Sequence, residues 1–292
     1  MTKTDRLKML FNTIINYIEV LKPRESLLLA FIGVAAVFIA ADGQPPLDIT
    51  LLALFAILIA SAGANGITNY LDREFDAKMR RTQHRVLPSR RIYPPEKALP
   101  LIIGMIIAGL VLAWFLHPLA FAADFIGTFV ASTWRKRMTC VFPQGAIASL
   151  APLLMGWFAI SSSFSWQLLL LCLLILAWLP LHVWSVMVSN REDYIGAGLN
   201  FFPMNVPVRT AVMVLLLFAF VLYSVSIAIY FVGGYGWLYL ILANILGFMM
   251  LFACRRLLGE NISRNAWRLY KLSSFPYLGL IFLAMCLDIW LL

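Results

Sequence analysis

Long, uninterrupted apolar segments dominate this chain and restrict what it can fold into. A helix that crosses the apolar core of a bilayer needs about 20 predominantly apolar residues, and such segments recur from residue 26 to residue 291. Only 13% of the residues are charged, and the mean hydropathy is +0.87. A closed β-barrel can also cross a membrane, but its strands alternate polar and apolar residues, and these segments do not. The sequence therefore predicts an all-α integral membrane protein.

The basic residues between the apolar segments predict the number of spans and their direction. All 23 Lys and Arg residues fall in the N-terminal segment or in every second connection, and none falls near Asp42, His117, Ser162 or Gly234. Because Lys and Arg collect on the cytoplasmic side, this alternation predicts a cytoplasmic N-terminus and an external C-terminus. It also explains the net charge of +9 without a nucleic-acid partner. The predicted transmembrane helices are nine: 26–41, 49–70, 98–116, 119–134, 143–160, 166–189, 210–232, 236–254 and 273–291.

The same pattern predicts one membrane-embedded domain over residues 1–292. Residues 1–24 are charged and polar before the first span, and we expect them to lie along the cytoplasmic membrane surface. The connections 72–97 and 190–209 are the long ones, and long connections in compact proteins are usually functional. No organelle-targeting presequence is evident, which predicts a multi-pass protein of the inner (cytoplasmic) membrane.

The densest polar segment continues the second predicted helix into the cytoplasmic connection. Asp72 and Asp76 are four residues apart, so both carboxylates project from one helix face, and Asn69 shares that face. Mg²⁺ in proteins is often held by one or two carboxylates together with phosphate oxygens. Arg81 and Arg85 follow closely, and guanidinium groups bind phosphate oxygens well. The pattern fits a Mg²⁺-bound diphosphate, although a solvated helix end with internal ion pairs, such as that of Asp76 with Arg80, explains it too.

The remaining polar parts of the predicted helices and their ends are functional candidates that also have structural explanations. Arg191, Glu192 and Asp193 leave the cytoplasmic end of the sixth predicted helix, and His182 lies about 12 Å inside that end. An ionisable side chain at such depth is a functional candidate, but a neutral imidazole bonded to a neighbouring helix is equally compatible. Lys136 belongs to a basic run that is either a phosphate clamp or only a cytoplasmic stop. For Asp124 a hydrogen bond to a neighbouring helix, or exposure near the outer surface, is the favoured explanation.

These segments resemble the UbiA superfamily of intramembrane prenyltransferases, and within it the branch of protohaem IX farnesyltransferases, or haem O synthases. The resemblance covers almost the whole chain. Its most specific part is the acidic segment of residues 69–88, in which Met79, Arg81, Thr82 and Arg85 form a Met-x-Arg-Thr-x-x-Arg run. Residues 180–198 fit the second motif of that branch. The chain departs from the usual pattern at Thr68, Asn190 and Asn200, among others.

The resemblance implies nine helices around a central cavity that opens toward the cytoplasm, and a Mg²⁺-dependent transfer of farnesyl from farnesyl diphosphate to a vinyl group of haem B. The implied metal ligands are Asp72, Asp76, Asn69, Glu192 and Asp193. The implied diphosphate-binding residues are Asn69, Arg81, Arg85, Lys136 and Arg191. The implied catalytic residues are Asp72, Asp76, Asp193 and His182, the last near the porphyrin or the attacking water.

Two other functions remain open from the sequence. Another member of the superfamily would prenylate an aromatic quinone precursor or an archaeal glycerol lipid. A transporter of an anionic substrate belongs to a different class, and it would normally place ionisable groups near the middle of the membrane and show repeated halves. Here the polar groups gather at one end of the predicted bundle, which favours the enzyme.

Overall fold

The protein is described here from a computed structural model that covers residues 3–133 and 140–291. The residues within these two ranges form α-helices, short 3₁₀ turns and connections, and they contain no β-strand. The α-helices are α1 (Lys3–Val20), α2 (Pro23–Ala40), α3 (Leu47–Asp76), α4 (Leu99–Leu116), α5 (Pro118–Thr133), α6 (Gln144–Phe158), α7 (Trp166–Ser189), α8 (Arg191–Gly196), α9 (Val208–Gly233), α10 (Trp237–Arg255), α11 (Ile262–Ser273) and α12 (Phe275–Leu291). The predicted all-α fold class is confirmed.

Each of the nine predicted apolar segments overlaps a helix of the structure. Seven helical segments are long and apolar enough to cross a membrane, and they include α2, α3, α4, α7, α9, α10 and the α11–α12 pair. The protein is thus a multi-pass membrane protein. Helices α5 and α6 have 16 and 15 residues, which is short for a bilayer core of about 30 Å at about 1.5 Å per residue. The count of nine spans and the direction of insertion stay predictions.

Close backbone contacts hold the first half of the bundle together. A side chain at Gly156 of α6 would collide with the backbone of Gly33 in α2, and one at Gly109 of α4 would collide with Ala60 in α3. Helices associate in lipid mainly through such close packing, since lipid tails are as apolar as the side chains. These crossings keep α3 in the interior of the first half, with α2, α4, α5 and α6 packed around it.

A second, smaller apolar cluster fixes the connection between α3 and α4. Val86, Leu87 and Ile92 of this connection are buried against Val20 and Leu21 at the end of α1, and against residues of α3 and α4. The connection is therefore a packed structure rather than a solvated loop. It covers the inner end of α3 and joins it to the α1–α2 corner.

Helix α1 lies beside the bundle rather than inside it. Its apolar side chains Leu7, Phe11, Ile14 and Ile18 share one face and are all exposed. An amphipathic helix of this kind, with basic residues on its polar face, is typical of a segment lying in the plane of a membrane surface. This geometry fits the prediction that residues 1–24 are interfacial.

Candidate active site

The candidate site begins where α3 leaves the membrane. At about 1.5 Å per residue, the 30 residues of α3 span about 45 Å, well beyond the apolar core of about 30 Å. Its last turns must therefore extend past the bilayer. Asn69, Asp72 and Asp76 lie on these turns, with Asp76 fully buried and Asp72 half-buried.

Asp76 is part of a buried ion pair. Its Oδ2 accepts a hydrogen bond from Nη1 of Arg85 at 2.8 Å, and 1% of its side chain is exposed, against 31% for Arg85. The hydroxyl of Thr82 donates to the backbone carbonyl of Asp76 at 3.0 Å. The alternative of a solvated helix end, with Asp76 paired to Arg80, is therefore wrong for this residue.

A cavity of about 510 Å³ lies directly beside this ion pair. The end of α1, the α1–α2 corner, α3 and residues 84–88 of the packed connection surround it. The polar side chains that line this α3 pocket, as it is called below, include Lys22, Arg24, Asn69, Asp76, His84 and Arg85. It combines carboxylate oxygens with the basic side chains of one lysine and two arginines. This mixture suits a ligand that carries both a metal ion and phosphate oxygens.

Asn69 borders this pocket and has an unsatisfied side-chain oxygen. Its Nδ2 donates to the carbonyl of Val20 at 2.6 Å, which fixes the orientation of the amide. Its Oδ1 is buried and has no hydrogen-bond partner within residues 3–133 and 140–291. A buried polar atom without a partner is costly, and a bound cation or a metal-bound water would supply the missing contact. The amide therefore fits the Mg²⁺ that the resemblance implies.

Lys22 is a pocket residue that the sequence analysis did not select. It forms the left-handed corner between α1 and α2, with a φ of 49°. Burial, and to a lesser extent the positive charge of Arg85, lower the pKa of Lys22 from 10.5 to about 8, although nearby carboxylates oppose the change. In the sequence Lys22 precedes a span, so it resembles an ordinary cytoplasmic flank.

The second acidic pair lies on the short helix α8 and contacts the same connection. Oδ1 of Asp193 lies 3.9 Å from Nε of Arg80, and Oδ2 of Asp193 accepts a hydrogen bond from the backbone N–H of Arg81 at 3.4 Å. Glu192 is exposed. A wide cleft of about 940 Å³, lined by Arg80, Arg81, both acids and the beginning of α11, opens here. The polar connection after α3 therefore reaches both acidic pairs.

Arg81 is held between these two elements. Its Nη2 donates to the hydroxyl of Tyr194 at 3.3 Å. Its Nε is buried, and the part of the chain that is described offers it no acceptor. Because a guanidinium N–H needs an acceptor, an oxygen of a bound anion would complete its contacts. The buried Tyr194 was not selected from the sequence either.

The two acidic pairs do not merge into one metal centre. Across the two described ranges, no three His, Cys, Asp or Glu side chains are grouped as a metal site would require. A Mg²⁺ ion needs only one or two carboxylates when phosphate oxygens and waters supply the rest. Each acidic pair can thus contribute to a site that the substrate completes.

Two predicted anion-binding residues stand apart from this picture. The guanidinium of Arg191 donates to the backbone carbonyls of Pro203, Met204 and Val206 at 2.8–2.9 Å. These contacts order the connection to α9 and occupy the group that was expected to bind phosphate. Lys136 lies outside the described residues.

His182 lies in an aromatic stack on α7, away from the acids of α3. Its ring is parallel to that of Trp178 at 4.9 Å and lies 4.7 Å from that of Tyr270 on α11. Its Nδ1 is 3.2 Å from the hydroxyl of Ser273. The stack continues from Tyr270 to Trp267, which borders the wide cleft at α8. The bonded imidazole expected as the structural alternative is present, and the stack leads toward the second acidic pair.

Comparison with known proteins agrees with this geometry. A profile of the UbiA prenyltransferase family matches residues 27–275. The chain is 36% identical over 281 residues to protoheme IX farnesyltransferase of Desulforudis audaxviator, covering 94% of this chain and 88% of the relative. It is 34% identical over 283 residues to the same-named protein of Symbiobacterium thermophilum, covering 94% of each.

Solved structures share the fold. A digeranylgeranylglyceryl phosphate synthase superposes with a TM-score of 0.77 at 20% identity, covering 96% of this chain and 99% of that one. A UbiA homologue from Archaeoglobus fulgidus bound to GPP and Mg²⁺ superposes with a TM-score of 0.63 at 14% identity, covering 92% of this chain and 99% of that one. The helical membrane bundle and the match to the family profile together identify the chain as an integral membrane prenyltransferase. The chain belongs to the UbiA prenyltransferase family.

Proposed function

We propose that this chain transfers farnesyl from farnesyl diphosphate to a vinyl group of protohaem IX in a Mg²⁺-dependent reaction. The observation that carries the proposal is the α3 pocket, where Asn69 and Asp76 meet Lys22 and Arg85. The relatives named protoheme IX farnesyltransferase support the choice of donor and acceptor, because the chain matches them over nearly its full length.

In this proposal the pocket binds the diphosphate and neutralises the charge that grows on it. Lys22, Arg24 and Arg85 supply positive charge, and the free Nε of Arg81 supplies a further N–H at the other end of the connection. Asp72 and Asp76 would hold Mg²⁺, with Asn69 Oδ1 as a third oxygen and with Glu192 and Asp193 supporting a second ion. Bound Mg²⁺ stabilises the leaving diphosphate by offsetting its negative charge.

Residues of the chain have their own part in the reaction. Charged and polar groups that are already held in position where charge develops stabilise the transition state without reorganising. The Asp76–Arg85 pair and the anchored amide of Asn69 are such preorganised groups, since each is held by a contact within the fold. The apolar interior of the bundle would exclude water from the allylic cation that forms when diphosphate departs.

The acceptor site in this proposal is the cleft beside α8 and α11. The aromatic stack of Trp178, His182, Tyr270 and Trp267 ends at this cleft, and flat aromatic rings pack well against a planar macrocycle. His182 keeps its Nδ1 on the hydroxyl of Ser273, which leaves the other ring nitrogen for the porphyrin or an attacking water. The membrane is proposed to be the inner membrane, with the N-terminus and the pocket on the cytoplasmic side.

The test is a reconstituted transfer assay. Purified protein in lipid nanodiscs receives protohaem IX, farnesyl diphosphate and Mg²⁺, and mass spectrometry detects farnesylated haem. Parallel reactions contain an aromatic quinone precursor or an archaeal glycerol lipid phosphate as acceptor. We expect product with protohaem and none with Asp72→Asn, whereas Glu74→Gln serves as the active control. Transfer to another acceptor, with none to protohaem, would refute the proposed substrate.

A further inference from the structure

A groove of about 160 Å³ lies between α10 and α11, and it shares no lining residue with the α3 pocket or with the cleft beside α8. On the α10 side it is lined by Met249, Phe252, Ala253 and Arg256. Their i, i+3, i+4, i+7 spacing places the four side chains on one helix face. Met249 is 46% exposed and Phe252 is 59% exposed, so this face of the span is directed toward lipid rather than toward the interior of the bundle.

The α11 side of the groove is fixed by contacts within the protein. It contributes Asn265, Arg268 and Leu272, which again share one helix face. The side-chain amide of Asn265 donates to the backbone carbonyls of Arg256 at 2.9 Å and Glu260 at 3.1 Å. These two hydrogen bonds hold the turn between α10 and α11, so the groove has its shape without a ligand.

Two arginine side chains border the groove without a counter-charge. Arg256 and Arg268 are both exposed, and neither forms an ion pair with a carboxylate of residues 3–133 or 140–291. No Asp or Glu of these two ranges lines the groove. The guanidinium of Arg256 lies over the ring of Phe252, 5.2 Å from its centroid, which keeps the cation beside the apolar floor.

The groove lies at the level where the spans meet the lipid headgroups. Helix α10 and the turn that follows it form an apolar segment of 22 residues, Trp237–Leu258, which extends about 33 Å and just crosses a bilayer core of about 30 Å. Arg256 is near the end of this segment. Helix α11 also borders the cleft that contains Asp193, so the groove belongs to the polar end of the bundle. Basic pockets between spans at this depth bind the headgroups of anionic lipids.

We propose that this groove binds an anionic phospholipid of the surrounding bilayer, with the phosphate between Arg256 and Arg268 and an acyl chain along Met249 and Phe252. An apolar floor alone would accept any lipid. Two cations without a counter-charge select a headgroup with a net negative charge, because guanidinium groups form strong paired hydrogen bonds to phosphate oxygens. A zwitterionic headgroup brings its own cation, which the two arginines repel.

The test is a lipid titration of the purified full-length protein in a non-ionic detergent, in which native mass spectrometry counts the bound lipids. Phosphatidylglycerol is the probe, and phosphatidylcholine with the same acyl chains is the zwitterionic comparison. Arg256→Gln and Arg268→Gln each remove one cation of the groove. Arg255→Gln and Lys271→Gln are matched controls, because these exposed residues neighbour the groove, carry the same charge and do not line it.

The expected results separate a specific contact from general attraction. Phosphatidylglycerol should bind each groove variant about tenfold more weakly than wild type, because a charge-assisted hydrogen bond is lost. Each control should stay within about threefold of wild type at about 0.15 M salt, where exposed charges that are not in contact are largely screened. Phe252→Ala keeps both cations and should also weaken binding, because the acyl chain loses apolar contact. Phosphatidylcholine should bind wild type about tenfold more weakly than phosphatidylglycerol.

Three results would overturn the inference. Equal losses in the groove and control variants would show only a general attraction to basic surface. Equal binding of the two lipids would remove the role of the headgroup charge. Displacement of phosphatidylglycerol by inorganic phosphate or by farnesyl diphosphate would assign the groove to a free anion or to a prenyl donor instead. No prenyl transfer is measured in this titration, so its outcome is independent of the proposed function.

Discussion

Substitutions at the two members of the Asp76–Arg85 ion pair should rank in opposite order for stability and for turnover. Arg85→Met should destabilise the protein more, and Asp76→Asn should reduce turnover more. The two groups are 2.8 Å apart, and their exposures differ greatly, at 1% for the Asp76 side chain and 31% for that of Arg85. Arg85→Met removes the cation that binds the buried carboxylate at 2.8 Å. Asp76→Asn leaves a guanidinium that can still reach water, and it keeps the shape of the side chain.

The expected magnitudes follow from this asymmetry. Leaving one charge of a buried pair uncompensated costs about 3–5 kcal/mol, and because Arg85 is partly exposed we expect about 3 kcal/mol for Arg85→Met. A lost hydrogen bond to a group that can be solvated costs about 1–3 kcal/mol, and we expect the lower end for Asp76→Asn. Turnover should show the opposite order, with at least about a 100-fold loss in Asp76→Asn, as for the removal of one preorganised electrostatic group.

The assay pairs unfolding in mixed micelles with farnesyl transfer by the same preparations. Glu74→Gln is the matched control, since Glu74 belongs to the same turns of α3. Its side chain is 61% exposed, and its Oε1 is 3.8 Å from Nη2 of Arg73, which is a long distance for an ion pair. We expect it to change the free energy of unfolding by less than about 0.5 kcal/mol. If Asp76→Asn retains turnover within a few-fold of wild type, the metal and diphosphate role of α3 is refuted. Equal stability of the two ion-pair variants would refute the reasoning about burial.

Further predictions concern the rest of the site. Chelation of divalent metal should abolish turnover, and Mg²⁺ should restore it in the wild type but not in Asp72→Asn. Asn69→Ala should raise the KM for farnesyl diphosphate about tenfold, because a metal-side oxygen and the bond to the α1 end are both lost. With its pKa near 8, Lys22 loses its positive charge as the pH rises through 8, so the KM for the anionic donor should increase above that pH in the wild type but not in Lys22→Arg. His182→Phe should weaken protohaem binding in a spectral titration and leave the KM for the donor unchanged.

The helices were predictable because a bilayer removes most alternatives. Each of the nine predicted apolar segments coincides with a helix, since backbone groups in lipid must be satisfied within the segment itself. The predicted segment 119–134 has the same length as α5, 16 residues, whereas α6 is three residues shorter than the predicted segment 143–160. Helix ends depend on neighbouring helices and connections, which local composition does not record.

The polar groups at the end of α3 were predictable, because carboxylates and guanidinium groups follow the second apolar segment directly in the sequence. The second acidic pair was also evident from the sequence, and the family resemblance added only its implied role as metal ligands. Arg191 shows the limit of such reasoning. Its sequence position beside two acids resembles an anion site, but the fold directs its guanidinium to three backbone carbonyls. Asp124 is likewise buried, and its observed hydrogen bond comes from Thr128 of its own helix rather than from a neighbouring helix.

The amino-acid sequence alone determined a helical membrane protein with acids and bases gathered at one end, because hydrophobicity and charge act locally along the chain. Only the tertiary structure decided which of these groups meet. The amide of Asn69 reaches Val20 across 49 residues, and Arg81 reaches Asp193 across 112. Lys22 and Asp124 acquire their surroundings in the same way, since burial and partners depend on how helices distant in the chain pack against each other.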